Sequence, residues 1–258
     1  MATYSAVMSS SLMQTYEPLN QLKPLADNLW MVDGPIIRMD FPLGFKMPFP
    51  TRMVIVRLPN GDLWVHSPTE PTDELFAEID ALGRVRHLVA PNSIHYWYLP
   101  HWTERYPEAR TYGVAGLTDT AKREIRIDET LSESTPADWQ DMFETIIFSG
   151  SVISEAVFFH RPSRTLIVTD LIENFEPGKI RSGWLRWFLG LVGIVDPDGK
   201  MPLDLRMTFW RKGETLRRQV HQMIGWKPDR VIMAHGRPYL ENGTAELRRA
   251  FRWVKGVS

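Results

Sequence analysis

Thr165-Leu-Ile-Val-Thr-Asp170-Leu171 is the stretch whose reading decides the fold. An apolar, β-branched run ends there in a carboxylate. A second stretch, Val231-Ile-Met-Ala-His235-Gly236, repeats the arrangement with an imidazole in the carboxylate's place. Short runs of this composition read as buried strands. In open α/β sheets ligands bind beyond the carboxyl ends of strands, so Asp170 and His235 are predicted to meet in one cleft. A third run, His87-Leu-Val-Ala, leads through Pro91-Asn-Ser-Ile to His95. One aspartate and two histidines form a donor set suited to Zn²⁺, Mn²⁺ or Fe²⁺.

Working outward, Phe143 to Phe148, Glu155 to His160 and Thr165 to Asp170 read as successive strands, the last two joined as a hairpin by Arg161-Pro-Ser-Arg164. Upstream, Asn28 to Asp33, Arg52 to Leu58 and Leu63 to Ser67 are further strands, with Pro59-Asn-Gly-Asp62 as the turn of a hairpin. Thr72 caps a helix whose Leu75, Phe76, Ile79 and Leu82 recur at helical spacing. Val85 to Ala90 then completes a βαβ unit. Helices are also predicted at 97–106, 216–225 and 244–254, and Arg110 to Ala115 as a strand. Pro35 to Pro50, rich in proline and in bulky residues such as Phe41, Phe45 and Phe49, is expected to be an apolar loop. Two strand-rich halves with helices outside them predict an αββα layering.

The 258 residues suit one domain, read as a loose tail over 1–20 and a folded unit over 21–258. Thirty basic and 31 acidic side chains nearly cancel, which gives no electrostatic reason to expect nucleic acid as a partner. The absence of cysteine excludes disulfides, thiolate zinc sites and a cysteine nucleophile. Met1 to Gln14 lacks the basic start and apolar run of a secretory signal, so a cytoplasmic location is expected.

The order of these elements resembles the metallo-β-lactamase superfamily from about Leu29 to Tyr239, through its strand ending in Thr-Asp-Leu and its final strand ending in His-Gly. That family's Thr-His-x-His-x-Asp-His signature aligns without gaps on 90–96. Pro91 and Ser93 then replace its first two histidines, His95 its aspartate and Tyr96 its last histidine. Gly150-Ser-Val-Ile-Ser154 supplies no histidine where the family has another, near Val152, and Ser67 replaces an aspartate of the early strand. The resemblance therefore implies that the first metal position is lost. His95, Asp170 and His235 remain from the second and hold at most one divalent transition metal. The chain is similar to a divergent branch of the superfamily with Pro-Asn-x-x-His in place of the histidine signature.

Plainer roles exist for each residue. A strand-end aspartate is more often a cap or an ion-pair partner, because it readily accepts backbone hydrogen bonds. His235 before Gly236 can shape a turn, His95 can sit at a surface helix start, and Tyr96 and His101 can pack. Glu173 and Asn174 can belong to a capped loop or a polar pocket wall. His66, His87, His160 and His221 receive no assignment. The apolar segment 180–195, with Trp184 and Trp187, is too short to span a bilayer. It can be a core or dimer-contact helix, a cover over the cleft, or a peripheral membrane contact through Trp184 to Val195.

The expectation is a metal-dependent, hydrolase-like protein acting on a small, partly apolar molecule, with Tyr96, Glu173, Trp184 and Trp187 lining its pocket. A non-catalytic ligand-binding or protein-interaction member of the fold and a mononuclear iron redox protein are the alternatives.

Overall fold

The strand-forming runs pair into two sheets in a computed structural model that describes residues 12–40 and 46–257, with the backbone alone for 39, 40 and 46. In the first sheet seven strands lie in chain order: β1 (Lys23–Ala26), β2 (Leu29–Asp40), β3 (Lys46–Arg57), β4 (Asp62–His66), β5 (Arg84–Ala90), β6 (Arg110–Gly113) and β7 (Glu129–Thr130). Strands β1 to β4 pair antiparallel and β4 to β7 parallel. Parallel neighbours need a crossover, and helices α1 (Asp73–Leu82), α2 (Leu99–Arg105) and the short α3 (Leu117–Thr120) lie in the three of them. Thr72 caps α1 as its sequence predicts, its hydroxyl accepting from the Leu75 N–H.

The second sheet has the order β11-β10-β9-β8, from β8 (Phe143–Ser149), β9 (Ser154–His160), β10 (Thr165–Ile167) and β11 (Arg230–Ile232). Strand β10 pairs antiparallel with β9 and parallel with β11. Alternate side chains of a strand face opposite ways. Phe158, Ile167 and Ile232 accordingly join the core shared with the first sheet. Their neighbours Val157, Phe159, Leu166, Val168, Val231 and Met233 join a second core with helices α6 (Gly213–Gly225) and α7 (Gly243–Ala250). Both faces of the second sheet are thus covered, which is why its strands read as unbroken apolar runs. The architecture is the expected αββα sandwich.

Two sequence expectations need adjustment. Residues 35–40 and 46–50 are strand, not loop, because β2 and β3 continue as a two-stranded ribbon past the rest of the sheet. Residues 41–45, including Phe41, Leu43 and Phe45, lie outside the described residues. The ribbon tolerates its prolines because Pro48 and Pro50, two apart and opposite Arg38 and Ile36, turn the same backbone edge away from β2. Proline there removes no ladder bond. The expected tail also lies partly outside the described residues, but in its described part Met13 is buried and bridges Ile180.

His66 ends β4 inside the first core, stacked on Trp64 at 5.5 Å and edge-on to Phe158 at 5.7 Å. Burial, with the neighbouring charge of His95, pushes its pKa down from 6.5 to about 3. Across that window the unfolded chain binds a proton that the folded chain refuses, so acid destabilises the fold. The effect is at most about 1.4 kcal/mol per pH unit. His66→Phe, which keeps the ring and removes the proton site, should unfold with a shallower loss of stability between neutral pH and pH ~5. Equal slopes for both proteins in urea titrations would contradict this.

Candidate metal centre

Register brings the first two site residues together. Thr165 pairs with Arg230 and Ile167 with Ile232, so Asp170 and His235 each stand three residues past matched strand ends. His95 arrives from the other sheet, on the loop after β5. That loop docks on β9 through the Asn92–Glu155 bridge and through the Ala156 N–H donating to the Pro91 carbonyl. One potential ligand atom from each of His95, Asp170 and His235 lies within 4.8 Å of the others, and all three residues are buried.

His235 Nδ1 lies 2.7 Å from the Pro50 carbonyl oxygen. A carbonyl only accepts, so Nδ1 carries the proton, and in the neutral ring Nε2 presents its lone pair. That Nε2 faces Asp170 Oδ1 at 3.1 Å. His95 Nε2 faces the same oxygen at 3.3 Å, while its Nδ1 lies 2.7 Å from Ser67 Oγ. Two imidazole nitrogens therefore converge on one carboxylate oxygen in a buried place. Either protons or a cation must lie between such groups, since bare acceptors at that distance repel.

Asn92 organises this cluster. Its Nδ2 donates to Asp170 Oδ2 at 2.7 Å and to Thr169 Oγ1 at 3.0 Å. Its Oδ1 accepts from the backbone N–H groups of Ile94 and His95. One fully buried amide thus fixes both the carboxylate and the turn that presents the imidazole. Glu155 holds the Asp170 loop from behind, its carboxylate accepting from the N–H groups of Thr169, Asp170 and Leu171. Arg52, paired with buried Asp33, donates to the carbonyls of Met233 and Gly236 and so clamps the loop carrying His235. Gly236 has φ +92°, and a Cβ there would stand 2.1 Å from the Asn174 carbonyl oxygen, so no other residue fits behind His235. Ser67 also adopts a positive φ, of 53°, at the end of β4. Such backbone is costly for a non-glycine residue and is found at sites whose surroundings over-determine it.

The charges are coupled. Burial works against the Asp170 carboxylate, but His95 and His235 outweigh it and hold it well below the usual range. Burial lowers the His95 pKa, yet the Asp170 charge and hydrogen bond leave it raised. Burial and the Asp170 charge push Glu155 up to about 7 against its three backbone hydrogen bonds.

The other expected site residues are more dispersed. Glu173 is 6% exposed, and its Oε2 has no hydrogen-bond partner among the described residues. Burial, followed by the charges of Asp170, Asp204 and Glu155, raises its carboxyl well above the ordinary value. Tyr96 packs into the first core, and its hydroxyl accepts from the Lys122 N–H. Trp184 and Trp187 stand 54% and 62% exposed on α4 (Gly183–Val192). Phe49 and Phe175, by contrast, lie against the His235 ring at centroid distances of 5.0 and 6.4 Å. Two surface clefts of about 380 and 580 Å³ lie beside α6 and α7, and neither includes His95, Asp170 or His235. Asn92, Glu155 and Arg52 had no assigned role in the sequence; the Pro-Asn-x-x-His spacing was the one signal pointing to the first.

The model of a family described as "Domain of unknown function (DUF4336)" matches residues 36–180. No curated protein matches the sequence. Among solved structures, the DIM-1 metallo-β-lactamase exposed to ceftazidime is similar at TM-score 0.59 and 15% identity, over 96% of this chain and 99% of that one. A metallo-β-lactamase from Hirschia baltica gives 0.56 and 15%, over 89% and 95%. The FIM-1 enzyme from Pseudomonas aeruginosa in its mono-zinc form gives 0.56 and 13%, over 96% and 97%. The fold is that of the metallo-β-lactamases, in a divergent sequence.

The Asn92 network sets a test. Asn92→Ala would strand Asp170 Oδ2, Thr169 Oγ1 and two backbone N–H groups. It should cost about 2 to 3 kcal/mol of unfolding free energy in urea melts. A loss under about 0.5 kcal/mol would contradict the organising role.

Proposed function

The chain belongs to the DUF4336 family, and we propose that it is a metal-dependent, hydrolase-like protein in which His95, Asp170 and His235 hold one divalent transition metal. The observation carrying this reading is the His235 ring. The Pro50 carbonyl accepts a hydrogen bond from its Nδ1–H, and the unprotonated Nε2 points with His95 Nε2 at a single buried carboxylate oxygen. A backbone carbonyl behind a histidine is the usual outer partner of a metal ligand. Two imidazoles and a carboxylate suit zinc, iron or manganese. Zinc is favoured by the mono-zinc form of a structural neighbour.

Bound there, the metal would supply Lewis acidity, lowering the pKa of water and polarising a carbonyl. The protein's own groups do the rest. Ser67 and Pro50 orient the imidazoles, Asn92 and Glu155 hold Asp170 in place, and buried Glu173, its carboxyl raised by burial and by the Asp170 charge, adds an acid group near the centre. Phe49 and Phe175 exclude water on the His235 side. The substrate assigned to this site is a small ester, lactone or related molecule with an apolar part. One metal is the limit: Pro91 and Ser93 carry no imidazole, and Val152, 78% exposed, points to solvent.

Protein purified without added metal should carry about one equivalent by elemental analysis, and Asp170→Ala and His235→Ala under about one-tenth. Ser67→Ala should keep the fold and weaken metal affinity about 10- to 100-fold. Wild-type protein with under about one-tenth equivalent, and melting unchanged by chelation, would instead favour a proton-linked His-Asp-His cluster in a non-catalytic ligand-binding protein.

A further inference from the structure

Helix α4, Gly-Trp-Leu-Arg-Trp-Phe-Leu-Gly-Leu-Val, is apolar on both sides. Leu185 and Leu189 face inward and pack with Met47, Phe49, Phe175 and Ile194. Trp184, Trp187 and Leu191 form the opposite stripe at helical spacing and stand 54%, 62% and 64% exposed. A helix apolar all round belongs in a core or in contact with lipid, and a polar outer face is what water alone would select. A second exposed stripe follows in the chain. Leu203 and Met207 on α5 (Leu203–Met207), with Trp210 just beyond, are 51%, 69% and 86% exposed. The two helices are joined near the C-cap of α4, where the Lys200 side chain lies against Gly193.

Charge selects among the surfaces that could cover these stripes. The chain as a whole nearly balances its charges, yet between Glu176 and Asp196 the segment carries Lys179, Arg181 and Arg186 and no acidic side chain, with Lys179 donating to the Thr15 carbonyl. Around the second stripe lie Arg206, Arg211 and Lys212 with Asp204 and Glu214, the latter paired with Arg217. Arg186 and Arg211 form no ion pair among the described residues. A second copy of this chain would bring the same cations against these. No described helix is long and apolar enough to cross a membrane, so contact with lipid would be in the plane of the surface. Tryptophan suits that zone, with its apolar ring and polar N–H.

We propose that the outer stripe of α4, Trp184, Trp187 and Leu191, with exposed Arg186 on the flank of the helix, docks the protein on an anionic lipid surface. The α5 stripe with Trp210 and Arg211 extends the contact. Because the inner face of α4 packs on Phe49 and Phe175, which lie against His235, the docked helix forms the wall between lipid and the metal centre. An amphiphile drawn from the surface then becomes the substrate class, a consequence that rests on the metal-dependent reading; docking itself does not.

Flotation of the full chain with vesicles of phosphatidylcholine alone, or mixed with phosphatidylglycerol, tests docking without reference to metal or turnover. The wild type should float with the mixed vesicles, and Trp184→Ser/Trp187→Ser/Leu191→Ser should remain at the bottom with an unchanged circular dichroism spectrum. Arg186→Glu/Arg211→Glu should lose at least about tenfold in vesicle affinity. Wild-type protein that fails to float, or a triple variant that floats equally, overturns the proposal. So does a dimer in light scattering that the triple substitution dissolves while vesicles bind neither protein.

Discussion

A carboxylate taken out of water must be compensated, and in this protein Asp170 is compensated by two imidazole nitrogens that meet at its Oδ1, with an amide donating to its Oδ2. Much of the architecture follows from holding that meeting point. Parallel pairing of β10 and β11 sets Asp170 and His235 at matched depth. The β5 loop crosses to the other sheet so that Asn92 can touch Asp170 and turn His95 toward it. Glu155 and Arg52 then lock the two loops, one through three backbone N–H groups and the other through two carbonyls. Each lock is itself a buried ionisable side chain, and neither is free to relax without disturbing the centre.

The first sheet contributes more than a packing surface. Its β2–β3 ribbon extends past the other strands, and this exposes a backbone edge that a fully paired sheet would consume. Pro50 stands on that edge, and its carbonyl accepts a hydrogen bond from His235 Nδ1–H. The prolines that interrupt strand pairing elsewhere are thus tolerated at the place where an unpaired backbone acceptor is useful. The same ribbon brings Phe49 against His235 and under α4, so tautomer control and apolar cover come from adjacent residues.

Asp170 and His235 were legible in the sequence because a polar group closing an apolar strand is a local pattern, and strand-end position carries over into three dimensions. His95 was legible through its spacing from β5. The ribbon was not, since the proline density of 35–50 reads as loop unless the unpaired edge is known. Glu155 was hidden for a different reason. It opens a strand, where an acidic residue ordinarily faces water, and only the approach of the Asp170 loop makes it a buried acceptor. Arg52 likewise looks like one more strand residue until Asp33 and the His235 loop close around it. Trp184 and Trp187 were expected as pocket walls, whereas the structure turns them outward and gives the inner position to Phe49 and Phe175.

The central claim is that one cation belongs where the two Nε2 atoms and Asp170 Oδ1 converge. Anomalous diffraction from crystals grown with zinc, recorded on either side of the zinc edge, tests it most directly. The account predicts a single peak bounded by His95, Asp170 and His235, with the Pro50 and Ser67 contacts intact. A map with no peak there, or with the metal bound by other residues, would contradict it.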